Sequence, residues 1–433
     1  MKRILSVLTT LLLLVSFAAC GAKPEKEVYS AAETEPTTIE YATQVESESS
    51  TQEDVPSTQE DVQSTQERME DLEYVKDGVS FRKETYTDYE QVERTRTVLL
   101  SYPRDKSAKE YRIPDGTDAV QWNAFQDCSD LETLYVPASV KDFGITDGFL
   151  SVFVGCKKLT HVYVDKANEN YSSTKDGLLL IPFEWQEMDG KVTKRTRMIY
   201  LPGRTDKHFI IPSAITDFEA YGNTYLETID LGKDVRSFSV SVDACPKLKA
   251  FRAEGNQNGY YTKDGVLYLK TQDWEDPKKE DTYLIYYPAG KNDKKLTVPD
   301  GVTHLYGAIE WSSDSAFHNN PYIEEIILPD SVTFIGIGAF AGCTALKKVN
   351  LPDTLKNLGD CAFYGCTALK EITLPMSLEA LGFYDGIDDQ AFGDSSITDI
   401  YYKGTQAQWD ELVNATGHSA ILPSGVRVHC ADE

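Results

Sequence analysis

The apolar positions of this chain fall into short strings that read Leu-x-x-Leu-x-Leu, with Ile, Val, Phe, Ala or Tyr at some places. They begin at Leu131, Leu159, Leu226, Leu248, Ile323, Leu346, Leu369 and Ile397. The last four residues of each string alternate apolar and open, as in a strand with one buried face. Proline follows the last apolar residue at Pro329, Pro352 and Pro375; it ends the strand because it has no N–H for a ladder. Three more strand ends stand at Ile113-Pro114, Ile211-Pro212 and Val298-Pro299, which brings the predicted coils to eleven. Such strands are too short to be stable alone, so each coil has to bury its apolar face on its neighbours. At roughly 4.7–4.9 Å per strand, the stack is expected to be about 50 Å long.

The period supports the same reading. Leu328, Leu351 and Leu374 lie 23 residues apart, and Ala339-Phe340-x-x-Cys343 recurs as Ala362-Phe363-x-x-Cys366. A fixed period in the twenties is the mark of a leucine-rich-repeat solenoid with short parallel strands on one face. Phe and Cys are expected to supply a bulky plug and a small buried thiol on the far side of each coil. A longer repeat is superposed: Lys76-Asp77-Gly78-Val79, Lys175-Asp176-Gly177-Leu178 and Lys263-Asp264-Gly265-Val266 are 99 and 88 residues apart at their aspartates. Asp-Gly between β-prone runs is a turn signal. These segments are therefore expected to be inserted β-hairpins that project from the stack, with tracts such as Thr271–Asp281 as exposed tips.

These residues resemble the bacterial surface-antigen, or BspA-type, leucine-rich-repeat family. The resemblance rests on the 23-residue period, the Leu-Pro strand ends, Ala-Phe-x-x-Cys and the segment from Asp264 to Lys291. Tyr401-Tyr402-Lys403-Gly404-Thr405 through Trp409 resembles the family's closing unit, placed at 397–433. The resemblance covers residues 76–433. It implies a surface-exposed role in recognition or adhesion, and no shared catalytic residues.

Residues 1–20 read as a secretory signal: Lys2-Arg3, an apolar run from Ile4 to Phe17, then Ala18-Ala19-Cys20. Small residues before a cysteine resemble a bacterial lipobox, with Phe17 a departure from it, so Cys20 is the expected lipidation site. Residues 21–75 read as a disordered acidic stalk, because Ser-Thr-Gln-Glu at 50, 57 and 64 comes with scarcely any large apolar side chains. The whole chain carries −26. The signal contributes +2 and the stalk −12, which leaves −16 for residues 76–433. That balance makes nucleic acid a poor partner.

Six histidines occur without metal-site spacing, and no Cys-x-x-Cys, Gly-x-Ser-x-Gly or Gly-x-x-x-x-Gly-Lys is present. No catalytic residue, metal or cofactor is therefore assigned. Cys128, Cys156, Cys343 and Cys366 occupy one place in their coils and are expected as buried free thiols, while Cys361 and Cys430 fall outside that register. The better candidates for function are the open strand positions, expected on a concave face. Tyr135, His161 and Tyr163 group on adjacent coils, and Arg252 holds the same place further on. Tyrosine offers large rigid area plus a hydroxyl, although it is also a good strand former. Trp185 and Trp274 occupy comparable places in two hairpins, where they would stack on sugar rings or cover their own hairpin. The expectation is a non-catalytic surface protein that binds a protein or glycan. The alternatives are a structural component of the envelope or an accessory subunit in nutrient capture.

Overall fold

The computed structural model describes residues 72–87, 92–144, 151–187, 190–220, 222–240, 245–273, 276, 278–307, 315–382, 391–415 and 422–432. The signal, Cys20, the stalk up to residue 71 and Trp274 lie outside them. Among the described residues no helix is long and apolar enough to cross a membrane.

The chain is a leucine-rich-repeat solenoid in three modules, each opened by an antiparallel three-stranded meander. The first holds β1 (Leu72–Lys76), β2 (Val79–Thr87) and β3 (Glu93–Ser101), then β4 (Glu110–Arg112), β5 (Ala119–Val120), β6 (Thr133–Val136) and β7 (His161–Val164). The second opens with β8 (Ser172–Ser173), β9 (Leu179–Gln186) and β10 (Val192–Tyr200). It continues through β11 (His208–Ile210), β12 (Asp217–Ala220), β13 (Thr228–Asp230), β14 (Ser237–Val240) and β15 (Ala250–Arg252). The third opens with β16 (Tyr260–Lys263), β17 (Val266–Gln272) and β18 (Glu280–Tyr286). Its coils carry β19 (Lys295–Thr297), β20 (His304–Leu305), β21 (Glu325–Ile327), β22 (Phe334–Ile335), β23 (Lys348–Asn350) and β24 (Asn357–Leu358). The end is β25 (Glu371–Leu374), β26 (Ala380–Leu381), β27 (Asp399–Tyr402), helix α1 (Gln406–Ala415) and β28 (Arg427–His429).

Each full coil has three sides. Side one carries the Leu-x-x-Leu-x-Leu strands, and all eleven expected ones form, paired in parallel within β4-β6-β7, β11-β13-β15, β19-β21-β23 and β25-β27-β28. Side two is a second parallel sheet, as in β18-β20-β22-β24-β26. Side three is the Ala-Phe corner. There Phe317, Phe340 and Phe363 each donate their backbone N–H to the alanine carbonyl of the next coil, at 2.8–2.9 Å. Their rings stack in a column from Tyr287 to Phe392, with centroids 5.1–5.7 Å apart. The thiols of Cys343 and Cys366 donate to the carbonyls of Phe317 and Phe340, one coil back, at 3.1 and 3.2 Å. All seven described cysteines are buried thiols outside any disulfide, Cys361 and Cys430 included. Burial pushes the Cys366 thiol up to about 12, so it stays protonated and unreactive.

Two expectations need correction. Residues 72–75, expected in the stalk, belong with Lys76 to β1, whose five residues all pair with β2. The inserts are also not appendages. The Asp-Gly turn joins a short first strand to the hairpin, with both turn residues left-handed at Asp77-Gly78 and Asp264-Gly265. The last arm of each meander then enters side two in parallel, β3 to β5, β10 to β12 and β18 to β20. Tyr102 and Tyr287, at or just past the ends of those arms, take the place of the Phe plug and donate to Ala124 and Ala316. Only the distal half of the hairpin stands out into solvent, as the exposed residues Glu184–Gln186 show in β9.

A recurrent clasp holds each Asp-Gly turn. Lys106 donates to the Asp77 carbonyl at 2.6 Å, Arg204 to Asp176 at 3.1 Å and Lys291 to Asp264 at 2.9 Å. The same cations lie over the rings of Tyr102, Tyr200 and Tyr287 at 5.3–5.8 Å. At the other end α1 closes the stack by burying Trp409 and Leu412. Thr405 and Gln408 form a reciprocal capping box at its start.

Removal of one plug ring should leave a void that the rigid coil cannot close. Phe340→Ala is expected to cost about 3–5 kcal/mol in denaturant unfolding, whereas Met376→Ala, at a 57 % exposed site, should stay within about 0.5 kcal/mol.

Candidate functional site

Strand register alone assembles the first candidate. Pairing of β4, β6 and β7 sets Arg112 beside Tyr135 and Tyr135 beside Tyr163, with Thr133 beside His161. Because side chains alternate, these residues share the outward face while Leu134 and Val162 point into the core. The Arg112 guanidinium lies 3.6 Å from the Tyr135 ring centroid. Tyr135 and Tyr163 are 5.7 Å apart, and His161 stacks on Tyr163 at 5.5 Å with planes 19° apart. Thr160 fixes the imidazole through a 2.8 Å bond to Nδ1. Gly177 closes the strip: its carbonyl accepts from the Val162 N–H at 2.7 Å, and a side chain at 177 would sit 2.8 Å from His161. The three residues singled out in sequence are thus one continuous strip. Arg112 was missed because its strand is marked only by the Ile-Pro that follows it.

Arg252 does not join them. It lies on β15 in the next side-one sheet, its Nη1 3.8 Å from Asp230, whose other oxygen is 3.5 Å from His208 Nε2. Trp185 is also separate, on the distal half of β9 and 48 % exposed. The Arg195 guanidinium backs its ring at 5.3 Å. Arg195 in turn reaches Asp217 at 3.2 Å, and Arg197 reaches Glu219 at 3.0 Å, under nearly complete burial of both acids. Burial raises the Asp217 carboxyl, against the Thr216 hydrogen bond and the nearby arginines. This row was legible as Arg195-x-Arg197 on the hairpin and Asp217-x-Glu219 on the following strand, matched at period two.

Two further groups escaped the sequence. On side two, His304 lies between Tyr283 at 4.5 Å and Phe334 at 5.4 Å. Burial lowers its pKa, against the pull of Asp281 and Asp273. At the C-terminal end, Asp399 accepts from His429 Nε2 at 2.9 Å and from the Thr398 hydroxyl at 2.8 Å, and pairs with Arg427 at 2.8 Å. Among the described residues no group of three or more His, Cys, Asp or Glu side chains is gathered so as to hold a metal ion.

The hydrogen bond from His429, then those from Thr398 and Arg427, hold the Asp399 carboxyl down at about 2. A depressed carboxyl contributes stability that is complete above its ordinary value near 3.9 and lost as pH falls through the folded value. The Asp399 carboxyl resonance should therefore titrate near pH 2 in the folded chain, and His429→Ala should move its midpoint upward.

No curated protein matches the chain. A solved leucine rich cell surface protein from Faecalibacterium prausnitzii is 17 % identical, covering 79 % of this chain and 97 % of that one, with a TM-score of 0.39. The pneumococcal vaccine antigen PcpA is 16 % identical over 83 % and 98 %, with a TM-score of 0.39. A leucine-rich repeat protein from Bacteroides capillosus is 24 % identical over 34 % and 99 %, at 0.27. Six copies of the BspA type leucine rich repeat region match residues 103–175 and 312–407. Those repeats are what the chain shares with the BspA-type leucine-rich-repeat proteins.

Proposed function

We propose that the protein is a lipid-tethered, extracytoplasmic recognition protein that holds a protein ligand on the Arg112–Tyr135–Tyr163–His161 strip without chemical change. The observation that supports this reading is the strip itself: an exposed cation and three half-buried rings on adjacent strands of a preformed sheet. Rings stacked on each other spend their faces internally and offer edges and hydroxyls outward. Such a surface suits the polar and aromatic anchors of a protein partner. Its rigidity means that little ordering cost is met on binding. Trp185 favours a second reading, a glycan, because a half-exposed indole backed by a cation is a stacking platform.

The test is binding of the purified full chain to matrix-protein and glycan arrays, beside two variants. Tyr135→Ala with His161→Ala and Tyr163→Ala should weaken a protein hit at least tenfold, an aromatic anchor being worth about 2 kcal/mol or more. A glycan hit lost only in Trp185→Ala would move the site to the hairpin. Absence of any hit, together with co-purification of envelope proteins, would replace recognition with an assembly role. The tether has its own test: Cys20→Ala should release the protein from the membrane fraction, and retention of that variant would rule out a lipid anchor.

A further inference from the structure

The first module carries a hollow that is independent of the strip and of Trp185. It measures about 330 Å³ and opens between the meander and the turn after β5. Its lining includes Arg82, Tyr102, Arg104, Gln121, Asn123 and Gln126, and no carboxylate. That is an exception in a domain of strongly negative balance, where the field should repel anions from most of the surface. The volume falls at the lower end of the range for small-molecule sites, about 300–1,000 Å³.

The two guanidinium groups are held from outside the hollow, Arg82 by Glu73 at 2.8 Å and Arg104 by Asp127 at 3.7 Å. Arg104 is the more available, with its side chain 66 % exposed. Its exposure follows from its place in the repeat. Arg104 follows Pro103 as Gly203 follows Pro202 and Ala289 follows Pro288. In the second module the previous coil lies against this position, so that a side chain at 203 would meet the Lys158 and Leu159 backbone at 2.3–2.6 Å. The first module has no earlier described coil there. Its clasp differs as well. Tyr200 and Tyr287 donate to Asp206 and Asp293, whereas the buried Tyr102 hydroxyl has no hydrogen-bond partner among the described residues.

The remaining lining is amide. Gln121 donates to the Asn123 carbonyl oxygen at 3.1 Å, which leaves the Gln121 oxygen and the Asn123 amino group for a ligand. Amides that both donate and accept match vicinal hydroxyls, and a guanidinium matches a carboxylate. We infer that this hollow binds an acidic monosaccharide, a hexuronic acid, with Arg104 on its carboxylate and Gln121, Asn123 and Gln126 on its hydroxyls. The larger hollow beside Tyr268, about 560 Å³, has no such bias: three lysines and three aspartates line it.

The test is titration calorimetry of the full chain with glucuronate, glucose and acetate as probes, at low and at raised salt. Glucuronate should bind at least tenfold more tightly than either probe that lacks half of its chemistry, and salt should weaken it. Arg104→Gln, an exposed change away from the core, should reduce glucuronate affinity at least tenfold. Tyr163→Ala should leave it unchanged, which separates this site from the strip. Equal affinity for glucose, an unaffected Arg104→Gln variant, or no heat with any probe would overturn the inference.

Discussion

Everything in this molecule depends on the contact between one coil and the next. A 23-residue turn of chain encloses no core of its own, so its apolar positions reach low energy only when the neighbouring coil stands at the same height and rotation. Backbone ladders on sides one and two set the height. The column of Phe317, Phe340, Phe363 and Phe392 sets the rotation, because stacked rings fill the interior only in register. Cysteine completes the corner as a small buried group able to satisfy a carbonyl one coil away. The candidate strip is a by-product of the same register: outward residues on adjacent strands meet because inward ones must.

The repeat was legible wherever the chain reuses the same residues. Leu328, Leu351 and Leu374 announced their strands, and Phe340 and Cys343 announced the plug. Side two was not, because two-residue strands such as Phe334–Ile335 and Asn357–Leu358 leave too short a pattern for period two to register. The meanders were half visible. Asp-Gly marked the first turn, but nothing in a single segment says that its last arm will pair in parallel with a strand some twenty residues ahead, as Arg197 does with Asp217. The clasp was hidden for a related reason: Lys106, Arg204 and Lys291 act on a backbone carbonyl 27–29 residues earlier, and carbonyls carry no sequence signal.

The candidate sites follow the same rule. Tyr135, His161 and Tyr163 could be joined from sequence because their strings align, and the strands brought them together. Arg252 belonged to the same string position, yet equal position in a repeat does not imply proximity once a meander divides the sheet. Charge is the weaker guide. Arg195 and Arg197 gain their role only once the hairpin arm lies over Asp217 and Glu219, and isolated arginines such as Arg112 and Arg104 gain meaning only from the ring or hollow beside them.

The clasp on the first meander has a mechanical consequence. If the chain is anchored ahead of Leu72 and engaged further along, tension enters the fold at β1. All five residues of that strand are exposed, and among the described residues it pairs only with β2, in antiparallel register. Loaded from its open end, such a ribbon parts one pair at a time, from Leu72 and Lys83 towards Lys76 and Val79, rather than shearing all at once. The parting stops at Asp77, where Lys106 ties the turn carbonyl to the loop that follows β3. Five weak pairs thus act as a short extensible lead, and the lysine clasp marks where pulling begins to load the body of the solenoid.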